Sequence, residues 1–178
     1  MHIGQKIIRA IILNLKLKSE FMKIKYYKQE REYTCGAAAM RMVLERLGIK
    51  KSENELIHLL KTNTKVGTWH YQMPALAEKY KLNYVVHRNA SIKELKEFLK
   101  NKYLIIVCYY LVKEKTAHYA VVLDIDDKNI YFNDPWRGPN HKLSLSYFRK
   151  NWISDKIYEK EQKWFIGIKK SKHNVLKL

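Results

Sequence analysis

A chain of 178 residues, 47% hydrophobic and 12% aromatic, is long enough to close one sizeable core and too short to divide comfortably into two. Thirty-five Lys and Arg against 17 Asp and Glu give a formal charge of +18, but the lysines are scattered, as AT-rich codon usage scatters them, so the charge alone establishes no specific nucleic-acid partner. Two cysteines without a CxxC pair exclude a disulfide framework and suit a reducing, cytoplasmic setting, while the absence of HExxH and of a phosphate-cradling glycine loop gives no sign of a metal or other cofactor.

Residues 1–19 hold Lys6, Arg9, Lys16 and Lys18 and no acid, with Ile3, Ile7, Ile11 and Leu15 recurring every four positions. This spacing predicts a basic amphipathic helix, and three readings compete for it: weak membrane-surface contact through residues 1–21, packing on the domain or a second protomer, and an extension ahead of a start at Met22. The apolar run over 7–17 is broken by Arg9, Asn14 and Lys16, too polar to span a bilayer, and no signal-peptide cleavage site follows it. The expected division is an extension at 1–21, a domain at 22–170 and a basic tail at 171–178.

Residues 23–28 alternate briefly and read as an edge strand or an extended lead-in. A helix is expected over 35–47, ending at the C-cap glycine Gly48. Ser52 with Glu55, and Ser91 with Glu94, are capping boxes that open two more helices, and Pro74 suits the first turn of another that runs to about Tyr80. Short β-branched and aromatic runs at 83–86, 103–109, 117–123, 129–132 and 164–168 read as strands, the later four forming an antiparallel sheet. Helices gathered first and strands after them predict an α+β domain, with a helical half packed on the sheet.

Cys35 precedes Gly36 at the start of the first of these helices, so its sulfur sits at the positive end of a helix dipole, where a thiolate is favoured. Cys108, inside an apolar strand, reads as an inert core residue. His118 opens another apolar strand. A turn at 126–129 returns the chain alongside it, bringing Asp134 back toward His118 in a position to orient the ring and set its tautomer. His58, His70, His87 and His141 have no such company; His70 reads as a polar loop residue or a lining of the cleft. Trp136 and Arg137 either wall the groove or shape the turn.

Gln29, six residues before the Cys35-Gly36 step, then His118 opening an apolar strand, then Asp134-Pro135, resemble the C39 family of cysteine peptidases. The resemblance covers about residues 23–152 and includes Gly67-Thr68. It implies a papain-like cysteine peptidase fold and cleavage of a peptide or protein substrate after a double glycine. By that similarity Cys35 is the nucleophile, His118 its base, Asp134 the orienting group and Gln29 a donor to the oxyanion hole. Members usually head an ABC transporter; no transmembrane helix or nucleotide loop is present here, and a stand-alone member is expected. Two other readings stay open: a non-catalytic basic module that binds nucleic acid or an acidic partner, and acyl transfer to an amine at the same site. The sequence gives no oligomeric state.

Overall fold

Strand residues in the second half of the chain alternate between two apolar faces, and both faces are covered. The computed structural model describes residues 4, 5, 8, 24–155 and 157–171. The amphipathic reading of 1–19, the start at Met22 and the tail beyond residue 171 lie outside the described residues, apart from Gly4, Gln5 and Ile8. In chain order the elements are α1 (Cys35–Arg46), α2 (Glu53–Leu59), α3 (Gln72–Lys79), β1 (Asn83–His87), α4 (Ile92–Lys100), β2 (Leu104–Leu111), β3 (Thr116–Ile125), β4 (Asn129–Asp134), β5 (Gly138–Ser144), α5 (Leu145–Asn151) and β6 (Phe165–Lys169). The strands form one six-stranded sheet in the order β1-β6-β2-β3-β4-β5, every neighbouring pair antiparallel.

On one face Leu104, Ile106, Cys108, Tyr119, Val121 and Ile166 pack beneath α1, α2 and α3. On the other, Ile105, Val107, Tyr109, Ala120, Val122 and Phe165 pack against α4 and α5. Period-two alternation thus divides β2 and β3 between two cores. The mixed helix and antiparallel-sheet architecture agrees with expectation; the cover on the second face goes beyond it.

Both capping boxes are formed, with Ser52 accepting from Glu55 N and Ser91 from Glu94 N. Gly48 takes a φ of +91° after α1, as its terminating role requires. Two elements were not anticipated. Strand β5 reads GPNHKLS, a polar edge segment without an apolar repeat, and α5 is a short helix whose N-cap, Ser144, accepts from Tyr147 N. Residues 24–29 form no strand and are held to the end of β4 by Asn133 Nδ2 donating to Ile24 O (2.9 Å) and Gln29 N donating to Pro135 O (3.1 Å). That tie brings the segment before α1 against the segment after β4.

Candidate active site

The turn ahead of α1 is braced from both sides. Thr34 Oγ1 donates to Arg31 O (2.9 Å) and accepts from Arg31 N (3.1 Å). Gln29 Nε2 donates to Arg31 O (2.8 Å) and Glu32 O (2.9 Å), while its Oε1 is buried without a hydrogen-bond partner. With Thr34 engaged backward, α1 opens without a side-chain cap, which leaves first-turn N–H groups free to meet negative charge. Cys35 is the first residue of that turn and lines a groove of about 890 Å³ together with His118, Gly67, Thr68, Trp69 and Trp136.

The Cys-Gly step has a packing cause. A Cβ at Gly36 would lie 2.5 Å from Thr68 Oγ1 and 3.2 Å from the Tyr119 ring. Thr68 cannot yield easily, because its hydroxyl is paired with Thr62 Oγ1 (2.7 Å) and its carbonyl accepts from Tyr119 OH (2.8 Å). Gly67 before it has a φ of +70° and stands against Tyr33 O. The two glycine motifs therefore belong to one contact, which seats the Cys35 end of α1 against the loop at residue 68.

Pairing of β3 with β4 brings Asp134 to His118, whose Nε2 donates to Asp134 Oδ1 at 2.8 Å. The same oxygen accepts from Trp136 N and Arg137 N, each at 2.8 Å, and Oδ2 accepts from Tyr109 OH at 2.5 Å. Four donors thus converge on a fully buried carboxylate. Burial disfavours its charge, yet the His118, Tyr109 and backbone hydrogen bonds win and hold Asp134 at about 2. Burial likewise opposes a charged His118, but hydrogen bonds to Asp134 and Cys35, with their charges, raise the ring to about 9. Since Nε2 faces Asp134, Nδ1 is the nitrogen left for Cys35. Burial pushes the Cys108 thiol well above its ordinary range, with the nearby Cys35 and Glu159 charges adding to it.

Cys35, His118 and Asp134 therefore meet, as the sequence leads one to expect. Gln29 is buried beside them, but behind the turn rather than on the groove wall, its two amide hydrogens engaged by backbone carbonyls. Trp136 lines the groove and also, through its N–H, shapes the turn. His70 lies in a turn, as the loop reading expects, but it is buried rather than solvated and does not line the groove: it is 2% exposed, stacked on Trp164 at 4.0 Å and set between Glu159 and Glu161. Sequence reasoning missed Tyr109, although a hairpin that pairs β2 with β3 sets it opposite His118. It also missed Glu159, for which nothing local gives a signal.

A family model described as the peptidase C39 family matches residues 23–163. The chain belongs to the peptidase C39 family. An uncharacterized protein of Methanothermobacter thermautotrophicus is 34% identical over 111 residues, 62% of this chain and 70% of that one. Among solved structures, a C39-like peptidase from Bacillus anthracis matches with a TM-score of 0.68 at 17% identity, covering 84% of this chain and 96% of its own. A double glycine motif protease from an AMS/PCAT transporter, solved in complex with the leader peptide, matches at 0.66 and 19% identity, covering 84% and 94%. The C39 chain thus has the papain-like fold of these peptidase domains. Among its described residues no helix is long and apolar enough to cross a membrane.

Proposed function

We propose that this C39 protein is a thiol peptidase that cleaves a peptide after a double glycine, with Cys35 as nucleophile. The observation that carries the proposal is that Cys35 and His118 line one groove while His118 Nε2 donates to the fully ionised Asp134 behind it. An imidazolium between two anions stabilises a thiolate on one side and is itself held in orientation on the other. The thiolate attacks the scissile carbonyl, and His118 then gives its Nδ1 proton to the departing amine, leaving a thioester on Cys35. Water, deprotonated by His118, attacks the thioester; the acid leaves and the proton returns to the Cys35–His118 pair.

Negative charge on the carbonyl oxygen would be met by the Cys35 N–H and by Gln29, whose amide must give up one of its two backbone acceptors to reach it. The leader-peptide complex of the transporter protease supports a double-glycine leader as the substrate type. Incubation of synthetic double-glycine leader peptides with wild type and Cys35→Ala, followed by intact-mass analysis, tests this. Cleavage after the second glycine by wild type only is the expected result, and intact peptide in both samples sinks the proposal.

A further inference from the structure

The groove is charged against the grain of the chain. Lys and Arg outnumber Asp and Glu 35 to 17 overall, yet the described residues lining the groove include Glu32, Glu114, Asp155 and Glu159 against Arg31, Lys65 and the His118 imidazolium. Both a base and an acid in that set are already engaged: Arg31 donates to Asn54 Oδ1 (3.1 Å), and Glu114 is paired with Arg137. Asp155 and Glu159 differ from them, since neither makes an ion pair with a described Lys or Arg. Asp155 accepts the N–H groups of Ile157 (2.7 Å) and Tyr158 (2.8 Å) in its own turn, and Glu159 accepts His70 N (2.7 Å). His70 supplies no counter-charge, because burial depresses its ring to about 4.

These two carboxylates are held in place. Ser154 N and Oγ both donate to Glu161 O at 2.8 Å, Lys160 N donates to Asp155 O at 2.8 Å, and Arg88 Nε donates to Glu161 Oε1 at 2.7 Å, closing the loop and tying it to the end of β1. They also line the same groove as the nucleophile Cys35. Between them Tyr158, 43% exposed, meets Trp69 edge-on at 6.0 Å, and both rings line the groove. Aromatic surface for an alkyl stem and a cation, with fixed carboxylates beside it, is the environment that an ammonium or guanidinium group requires.

We infer that the wall formed by Trp69, Asp155, Tyr158 and Glu159 is a subsite for a Lys or Arg side chain of the substrate, adjacent to the bond that Cys35 attacks. It rests on the peptidase reading for its substrate, but the charge preference can be measured without cleavage. The chain's net charge and the His118 imidazolium both favour an anion at Cys35, so a cation preference there runs opposite to what bulk charge gives.

The probes are 2-(trimethylammonio)ethyl and 2-sulfonatoethyl methanethiosulfonate, with each rate on Cys35 divided by the rate on free cysteine. Measurements at pH 8 stand above the value of about 7 to which burial raises Glu159. Wild type should favour the cationic reagent, and the double change Asp155→Asn with Glu159→Gln, which keeps both acceptors, should lower the cation-to-anion ratio by about tenfold, each single change by about threefold. A wild-type ratio favouring the sulfonate, or a ratio the double variant leaves unmoved, overturns the subsite. With double-glycine peptides that carry Lys or Glu at a flanking position, kcat/KM should favour Lys by about tenfold and lose that preference in the double variant. If no peptide is cleaved while the reagent ratio holds, the peptidase reading falls and the subsite stands; cleavage indifferent to Lys or Glu with an unmoved ratio does the reverse.

Discussion

Two histidines in this chain are about equally buried, His118 at 3% and His70 at 2% exposure, and each has a carboxylate within 3.3 Å, yet they hold their protons in opposite ways. His118 is raised to about 9 and His70 lowered to about 4, although burial works against the charge in both. What separates them is the support given to the carboxylates, together with Cys35, which also raises His118, and the Arg88 charge, which lowers His70. Asp134 receives four hydrogen bonds and stays ionised, so His118 is stabilised as a cation. Glu159 receives one backbone donor, burial raises it to about 7, and Glu161 shares its charge with Arg88, so burial prevails at His70. Proximity of a carboxylate, even the ionised Glu161 at 3.0 Å, does not by itself charge a buried histidine; a fully satisfied Asp134 together with Cys35 does.

The sharpest way to break this contrast is to take away the carboxylate that charges His118. Asp134→Ala orphans the Tyr109 hydroxyl, two backbone N–H groups and the His118 ring, so stability should fall by about 3 to 5 kcal/mol, read by urea denaturation. Where the variant folds, peptide turnover should fall by about a thousandfold or more, with Cys35 alkylation falling too, because His118 loses both its orientation and its charge. Next in size, Gln29→Ala should lower turnover by about a hundred- to a thousandfold while alkylation stays nearly unchanged, the signature of a lost oxyanion donor. If alkylation falls in parallel, Gln29 acts only as the brace for the turn at Arg31 and Glu32.

Tyr109→Phe sharpens the comparison more gently by removing one of the four donors. Loss of a hydrogen bond to a charged group should cost about 1.5 to 3 kcal/mol, with a smaller drop in turnover than that of Gln29→Ala, since three donors remain on Asp134. A further effect is expected on stability against pH. His118, raised from an ordinary 6.5 to about 9, contributes stability that is complete below 6.5 and is lost as pH climbs toward 9. For His70, lowered from 6.5 to about 4, the sign reverses: the folded state refuses a proton that the unfolded chain accepts, so stability is lost as pH falls from 6.5 toward 4. Histidine NMR titration of the folded protein should therefore find one ring that titrates near 9 and another near 4; two ordinary midpoints would erase the contrast.

The same two centres show which parts of the molecule are readable from sequence. His118 and Asp134 are sixteen residues apart and joined by one hairpin, so the turn at 126–129 and the strand period suffice to bring them together. His70 finds its carboxylates 89 and 91 residues later, on a loop with no periodic signal, and so reads as an isolated polar residue. Helices with capping boxes declare themselves because the cap is local chemistry. Strand β5 does not, since a solvated edge needs no apolar repeat and draws its register from β4. Gln29 was legible as a position in a motif, whereas the backbone acceptors that hold its amide follow from the fold of the turn alone.

The central claim, that His118 and Asp134 keep Cys35 as a reactive thiolate, is tested most directly by iodoacetamide alkylation of both cysteines between pH 5 and pH 9, followed by peptide mass mapping in wild type and His118→Ala. Cys35 should react rapidly near pH 6 in wild type and much more slowly in His118→Ala. Cys108, 1% exposed, should stay unmodified until the protein unfolds. Equal rates at the two cysteines, each with an ordinary thiol profile in wild type, would contradict the account.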